Sequence, residues 1–197
     1  MNRKITITPT PGQKHFSYYP VNVAIVGVTL ENKTNFMPCA WNTGLSYDPF
    51  LYGVSVGIGR ATRKFLDLKK QFSINFVDFT RHPMVRSIGR STGAEIDKPS
   101  EFGIDFYQGS RVDCPILECA YLAYECDLFS QSTLGDHILY VGEMKMMHVD
   151  EAVHKDLILD TAVTKPLLYL GVDHYLTTDP ETVKNLKNLP FHYRKKD

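Results

Sequence analysis

The stretch NFMPCAWNTGLSYDPFLYGVSVGIGRATRKFL, residues 35–66, contains most of the signals that decide the fold. From Phe50 to Gly59, apolar side chains alternate with glycine or serine, which is the two-residue period of a β-strand. Glycine weakens a strand, so a face of glycine and serine indicates close approach by another backbone or by a ligand. A helix is expected immediately afterwards, with Thr62 as its N-cap. The stretch therefore predicts a strand and a helix that meet at Arg60.

Strands also predominate in the rest of the chain. Val21 to Glu31 is a nearly continuous apolar and β-branched run, which favours a buried strand, and a returning strand is expected from Phe36. Further strands are predicted at residues 71–79, 117–131 and 137–150, with Gly135 and Asp136 in the turn of the last hairpin. Because these strands follow one another through turns, we expect a mainly β protein, a β-barrel with peripheral helices, rather than an alternating α/β fold.

Short helices and one long loop complete the predicted elements. A short helix is expected around Met84 to Ile88, followed by a loop over residues 89–105. Loops of this length in compact domains are usually functional or disordered. Near the end of the chain, TDPETVKNLKNL predicts a helix with Asp179 as N-cap and Pro180 at its first position.

The composition argues against several classes of function. The 197 residues hold 22 Lys+Arg and 22 Asp+Glu, so no overall positive field attracts nucleic acid or an anionic membrane. No window approaches the roughly 18 apolar residues of a membrane span, and the N-terminus lacks an apolar signal-peptide core, so we expect a cytoplasmic protein. The four cysteines are expected to be reduced thiols in the core, and the scattered histidines predict no metal site.

The opening stretch also offers the parts of a pocket for a flat, phosphorylated ring. Cys39 to Gly44, which include the only tryptophan, could form a wall, and Leu45 to Tyr47 are predicted to form a turn that presents amides and a hydroxyl. Arg60 and Thr62 lie at a helix start, where backbone N–H groups and a cation bind phosphate. Spacing alone leaves another interpretation open, in which the tryptophan is ordinary core, Arg60 a surface charge and Thr62 merely a cap.

Seven motifs in a fixed order resemble those of the FMN-binding split-barrel family of flavin reductase-like proteins, which includes the flavoredoxin type. They read YYPVNVAIV, NFMPCAW, LSYDPF, RAT, EIDKPSEFGI, GDHILYVGE and KPLLYLGVDHY, and they span Tyr18 to Tyr175. The resemblance implies a six-stranded Greek-key split barrel over residues 1–176. Residues 177–197 are then expected to be a helical tail that packs on the barrel or on a dimer.

The resemblance also implies a cofactor, FMN, bound noncovalently near the interface of a homodimer. The flavin ring and ribityl chain are expected beside seven residues of the opening stretch: Cys39, Ala40, Trp41, Asn42, Thr43, Leu45 and Ser46. The phosphate is expected on Arg60 and Thr62, with Ser91, Gly93 and Lys98 as further phosphate or ribityl contacts. Cys39 stands where Ala or Thr is frequent, and it is either a reactive thiol beside the ring or a small packing residue.

The function implied by the resemblance is that of an FMN-dependent oxidoreductase. Electrons would pass from NAD(P)H or a protein donor through FMN to an acceptor, with His137 of the GDH motif as a contact for the nicotinamide nucleotide. His137 could equally be a turn residue that follows Asp136. The alternative function is a flavin-binding module for storage, sensing or assembly, without turnover of its own.

Overall fold

Fourteen strands and three helices make up the described part of the computed structural model, which comprises residues 4–155 and 157–187. The strands are β1 Val21–Asn22, β2 Ala24–Leu30, β3 Lys33–Cys39, β4 Asn42–Tyr47, β5 Phe50–Gly57, β6 Gln71–Val77, β7 Phe106–Gln108, β8 Pro115–Leu117, β9 Ala120–Leu134, β10 His137–Val149, β11 His154–Lys155, β12 Ile158–Leu159, β13 Leu168–Gly171 and β14 His174–Leu176. The helices are α1 Ala61–Lys69, α2 His82–Arg90 and α3 Lys98–Phe102, and short 3-10 turns occur at Phe79–Arg81, Glu151–Val153 and Pro180–Thr182. None of these helices is long and apolar enough to span a bilayer.

The main sheet has seven antiparallel strands in the order β3-β2-β6-β9-β10-β5-β4. Its two edge strands, β3 and β4, are consecutive in the chain and are joined only by Ala40 and Trp41. The sheet must therefore curl until its edges approach each other at this corner. Ser55 of β5 bridges the two edges there, because its N–H donates to Trp41 O at 2.8 Å and its carbonyl accepts from Cys39 Sγ at 3.4 Å.

The inner and outer faces of the curled sheet both pack against apolar side chains. The inner face forms the larger core, with alternate residues of each strand at its centre, including Val26, Val54, Phe72, Ile74 and Tyr140. On the outer face, α2 and α3 pack against β3 and close a second core that includes Ile25, Phe36, Val85, Ile88 and Leu117. The two-residue period of the strands thus supplies side chains to two cores at once.

The structure confirms the mainly β prediction, and the predicted strands correspond to β2, β3, β5, β6, β9 and β10. Strand β4 and the short strands β7 and β11 to β14 were not predicted. The predicted turn at Leu45 to Tyr47 is wrong, because these residues belong to β4. This strand pairs with β5 from Asn42 opposite Val54 to Tyr47 opposite Phe50, so only Asp48 and Pro49 are left for the hairpin turn. The predicted hairpin turn at Gly135 and Asp136 is confirmed, since Leu134 pairs with His137.

Two predictions about helices need correction. Helix α1 begins at Ala61 with Arg60 as its N-cap, so Thr62 lies one position inside the helix and is not the cap. The predicted helix of the tail is wrong for its described part, because only Pro180–Thr182 form a 3-10 turn, capped by the Asp179 carboxylate. Val183 and Leu186 are 64% and 61% exposed, so no packed apolar face supports a longer helix there. Residues 188–197 lie outside the described residues.

Candidate functional site

A buried amide on β3 links the start of α1 to the loop after α2. Asn35 is fully buried, and its Nδ2 donates to Thr62 Oγ1 at 2.9 Å. Since this hydroxyl already accepts a hydrogen bond, its own proton is available for an acceptor at the helix start. A Cβ built on Gly93 would lie 2.1 Å from Asn35 Oδ1, so only glycine allows the loop to approach this closely. Thr62, Asn35 and Gly93 therefore form one continuous wall.

Lys98, at the first position of α3, places a buried ammonium group next to this wall. Its side chain is only 2% exposed, and Nζ donates to Phe36 O at 2.9 Å and to Ile88 O at 2.7 Å. Burial, and then the positive charge of Arg60, lower the pKa of Lys98 from its ordinary value to about 8. An ammonium has three N–H donors, so one remains for a further acceptor. No carboxylate of the described residues pairs with this charge, which is the situation expected where an anionic ligand binds.

The other predicted phosphate contacts lie around the same point. Ser91 follows α2, and its hydroxyl donates to Ser87 O at 3.0 Å and to Ile88 O at 3.3 Å, so it shares an acceptor with Lys98. Arg60 is exposed at the start of α1, and within the described residues its guanidinium has no carboxylate partner. We refer to Asn35, Arg60, Thr62, Ser91, Gly93 and Lys98 as the cradle.

An aromatic wall adjoins the cradle. Trp41 is 46% exposed, and its indole lies against the imidazole of His137, with ring centroids 4.6 Å apart. His137 Nδ1 bonds to Asp136 Oδ1 at 2.7 Å, which leaves Nε2 towards Gly57 and Arg60. A Cβ on Gly57 would lie 3.6 Å from His137 Nε2 and 3.7 Å from Arg60 Cγ. The absence of a side chain at Gly57 thus keeps the gap between the wall and the cradle open.

The glycines of the predicted glycine face lie in different environments. Gly53 does not face a ligand, because a Cβ there would lie 2.9 Å from Leu45 Cδ1, so this glycine makes room for a side chain of the neighbouring strand. Gly57 alone faces the gap beside His137 and Arg60, and a Cβ on Gly59 would meet nothing within 4 Å. Sequence periodicity identified the face correctly but could not separate these environments.

Two of the predicted ring contacts, Asn42 and Cys39, form hydrogen bonds within the protein. Asn42 Nδ2 donates to Asn22 O at 3.0 Å and to Cys39 O at 2.8 Å, and its Oδ1 accepts from Tyr52 Oη at 2.6 Å, so its amide is fully used. Cys39 is 4% exposed, and burial raises the pKa of its thiol to about 11. A buried thiol with this pKa is a packing group, so the interpretation of Cys39 as a reactive thiol is not supported.

The remaining predicted ring contacts are accessible. Ala40 forms the corner with Trp41, and Thr43 and Leu45 are exposed on β4. Ser46 is half-buried, and its hydroxyl accepts from Asp48 N at 3.2 Å. Thr43, Leu45 and Ser46 lie on β4, which begins directly after Trp41. The cradle offers positive charge and hydrogen-bond donors, and the exposed indole of Trp41 offers a flat apolar surface, so the two together suit a flat ring that carries an anionic tail.

Sequence reasoning missed two residues of this region. Asn35 begins the NFMPCAW motif, yet its amide organises the cradle, and an asparagine directly before the apolar residues Phe36 and Met37 of a strand was the available signal. Tyr19 accepts a hydrogen bond from Trp41 Nε1 at 2.9 Å and sets the orientation of the indole. No pattern could reveal the Tyr19 contact, because the two residues are 22 positions apart and meet only in the fold.

Comparison with known proteins agrees with the motifs. The family model of the flavin reductase like domain matches residues 16–177. An FMN-binding protein from Thermus thermophilus, solved with bound p-hydroxybenzaldehyde, is 36% identical, with 94% of this chain and 100% of that chain covered and a TM-score of 0.80.

Two more distant structures show the same fold. A flavoredoxin from Methanosarcina acetivorans is 23% identical, with 95% of this chain and 97% of that chain covered and a TM-score of 0.82. A protein with a split barrel domain from Shewanella frigidimarina is 19% identical, with 90% and 89% covered and a TM-score of 0.78. The predicted split-barrel fold is confirmed, and the chain belongs to the flavin reductase-like domain family.

Proposed function

We propose that this protein binds FMN and acts as an oxidoreductase of the flavin reductase or flavoredoxin type. The observation that carries the proposal is the cradle at the start of α1, in which the buried Lys98 lies beside Asn35, Thr62 and Gly93 and pairs with no carboxylate of the described residues. The exposed indole of Trp41 lies next to it. A phosphate and a flat ring are the two ends of FMN.

The cradle has donors suited to a phosphate monoester. Arg60 and Lys98 supply charge, and the Thr62 hydroxyl, held by Asn35, supplies a directed proton. The helix start adds free backbone N–H groups and the positive end of the helix dipole. The exposed side chain of Arg60 can therefore adjust its position to the ligand, while the buried side chain of Lys98 is held in place.

The aromatic wall is where we place the flavin ring. Bound FMN supplies the hydride-transfer chemistry, and the protein orients the ring and excludes water from one of its faces. Trp41 and Ala40 form the flat surface, while Thr43, Leu45 and Ser46 border its edge. A proton donor is not essential for hydride transfer, so the proposal assigns no general acid or base to the site.

His137 is our candidate contact for a nicotinamide donor. Its Nδ1 is engaged by Asp136, and its ring is held against Trp41, so Nε2 has a defined direction towards the gap. The electron donor in this proposal is NAD(P)H or a reduced protein. A homodimer with FMN near the subunit interface completes the proposal, and the exposed β4–β5 hairpin is the surface we expect to be covered.

The first experiment identifies the ligand. Protein purified without added flavin is heated, and the released small molecule is identified by chromatography and mass spectrometry. The proposal expects FMN in near one-to-one ratio with the chain. Recovery of FAD, or failure of the apoprotein to take up added FMN, would contradict it.

The second experiment separates turnover from simple binding. FMN-loaded protein is mixed anaerobically with NADH or NADPH, and absorbance is followed near 450 nm, about where oxidised flavin absorbs. Loss of this band supports a nicotinamide-dependent reductase. If neither nucleotide bleaches the band but a reduced ferredoxin-type protein does, the donor is a protein. If none of them bleaches it, the protein is a flavin-binding module without turnover.

A further inference from the structure

The aromatic wall continues into a chain of oxidisable side chains that leads from the candidate flavin site to the surface. Trp41 Nε1 donates to Tyr19 Oη at 2.9 Å. The Tyr19 ring lies 4.8 Å from that of Tyr18, which is 64% exposed, and 6.0 Å from that of Tyr169. Tyr169 in turn lies 5.2 Å from Tyr175. Tryptophan and tyrosine are the side chains that lose one electron most easily among those without sulfur.

We propose that Trp41, Tyr19 and Tyr18 form a relay that carries one-electron oxidising equivalents from the flavin site to the protein surface. The proposal rests on the proposed FMN binding, because light-excited oxidised flavin is the oxidant that starts the relay. Trp41 is the only tryptophan of the chain and lies beside the cradle through His137 and Gly57. An oxidising event at the ring therefore meets this indole first.

The contacts give the relay a direction. An indole N–H only donates, so Tyr19 accepts from Trp41 and keeps its own phenolic proton for release elsewhere. Burial raises the pKa of Tyr19 to about 12, so the phenol is protonated at neutral pH, and its oxidation is coupled to loss of that proton. Tyr18, the more exposed of the two, is the member from which a proton leaves directly to water.

The relay balances in electrons and protons. Trp41 loses one electron to the excited flavin, and Tyr19 restores Trp41 by giving up one electron together with its phenolic proton, which water takes up. Tyr18 then gives one electron to Tyr19, which regains a proton from water. The net result is one electron gained by the flavin, and one electron and one proton lost by Tyr18, with the proton taken up by water. An external one-electron acceptor then removes the electron from the flavin.

The test locates the radical on the FMN-loaded protein. The protein is illuminated with blue light without oxygen, with chloropentaamminecobalt(III) as electron acceptor and a nitroso spin trap, and adducts are mapped by peptide mass spectrometry. Tyr107 serves as the comparator, because it is 40% exposed, does not belong to the relay and lies outside the β4–β5 hairpin. We expect the adduct at Tyr18 to exceed the adduct at Tyr107.

The variants decide between the relay and simple exposure. Tyr19→Phe removes the intermediate carrier, and the Tyr18 adduct should fall to the level found at Tyr140, which is fully buried. In Tyr18→Phe the adduct should move to Tyr19 or Tyr169. A matched Tyr107→Phe variant should leave the Tyr18 adduct unchanged.

The absorbance of the desalted protein shows whether FMN is retained, and so distinguishes failure of the relay from failure of the proposed function. If FMN is retained but Tyr107 is labelled as strongly as Tyr18, or Tyr19→Phe leaves the Tyr18 adduct unchanged, the relay is wrong while the proposed function stands. If the protein takes up no FMN, the proposed function fails and the relay loses its oxidant.

Discussion

Asn35 connects the two segments that build the cradle. Its Nδ2 binds Thr62 on α1, and its Oδ1 faces the glycine that follows α2, so a single amide sets the distance between them. The adjacent Phe36 carbonyl accepts from Lys98. Two consecutive residues of β3 therefore position three of the groups that we expect to bind phosphate.

The charge of Arg60 can be tested with two forms of the same ring. Arg60→Ala should weaken FMN binding by about 1.5–3 kcal/mol and leave riboflavin binding nearly unchanged, because only FMN carries the phosphate. Titration of flavin fluorescence on the apoprotein measures both affinities. Arg63→Ala is the matched control, since Arg63 lies on the same helix but faces Asp67 at 3.7 Å. Equal losses for FMN and riboflavin would show that Arg60 does not contact the phosphate.

The close approach at Gly93 makes a second prediction. Gly93→Ala should lower the free energy of unfolding by about 1–3 kcal/mol, because the new methyl group would overlap Asn35 Oδ1. It should also weaken FMN binding, since Asn35 can move only by releasing Thr62. Urea unfolding and flavin titration measure the two effects. Gly44→Ala, where a Cβ meets nothing within 4 Å, should leave the free energy of unfolding unchanged, and a fully functional Gly93→Ala protein would contradict the geometry.

Among the elements, β9 holds the β7–β8 hairpin in place through one carboxylate. Glu125 is fully buried and accepts from the backbone N–H groups of Ser110, Arg111 and Val112, and from His148 Nε2 at 2.7 Å. Burial opposes its ionisation, but these hydrogen bonds outweigh burial and lower the pKa of Glu125 from 4.5 to about 2. The segment that runs from Lys98 to the β7–β8 hairpin is thereby fixed at its C-terminal end.

This carboxylate should make the fold sensitive to acid. Because the pKa of Glu125 is lower in the folded than in the unfolded chain, its stabilisation is complete above pH 4.5 and disappears as the pH falls towards about 2. Glu125→Gln should lower the free energy of unfolding at neutral pH by about 3 kcal/mol and flatten its pH dependence below 4.5. Urea unfolding at several pH values measures both.

A surface carboxylate provides the control for Glu125. Glu143 pairs with Lys145 at 2.7 Å and is partly exposed, so Glu143→Gln should cost less than about 1 kcal/mol. If the two variants gave the same pH profile, the acid sensitivity would arise elsewhere, for example at Asp78. Hydrogen bonds from Thr80, Lys165 and Thr164 outweigh the effect of burial on Asp78 and lower its pKa to about 2 as well.

At the scale of the whole molecule, the β4–β5 hairpin presents apolar side chains to solvent. Tyr47, Phe50 and Leu45 are 88%, 51% and 46% exposed, and they adjoin the aromatic wall at Trp41. A contiguous apolar surface of this kind usually marks an interface. We therefore expect the partner of the predicted homodimer to cover this hairpin.

A charge on the hairpin should disrupt the dimer. Phe50→Lys should lower the dimer fraction in sedimentation velocity and reduce the FMN content of the purified protein. Leu68→Lys places the same charge at a residue that is 60% exposed on α1, and it should change neither quantity. A wild-type protein that sediments as a monomer with its full FMN content would refute an interfacial flavin.

The tail and the β4 strand show where the sequence pattern stopped being informative. Capping residues at Asp179 and Pro180 predict a helix start, yet only a 3-10 turn forms over the described residues, because local caps cannot replace a packed face. The residues Leu45 to Tyr47 look like a turn by composition, but pairing with β5 extends them into a strand. In the tail, a local signal fails because no packing supports it, and in β4, strand pairing outweighs the preference of the single residues.

The sequence by itself determined the mainly β class, the positions of β2, β3, β5, β6, β9 and β10, a helix start close to Arg60, and, through seven ordered motifs, the family. These features depend on local periodicity and on spacing, both of which can be read directly from the amino-acid sequence. Only the tertiary structure decided that Asn35 joins Thr62 to Gly93, that Lys98 is buried without a carboxylate partner among the described residues, and that Trp41 lies between His137 and Tyr19. Each of these contacts joins residues far apart in the chain, and they meet only because the curled sheet brings its edges together at Ala40 and Trp41.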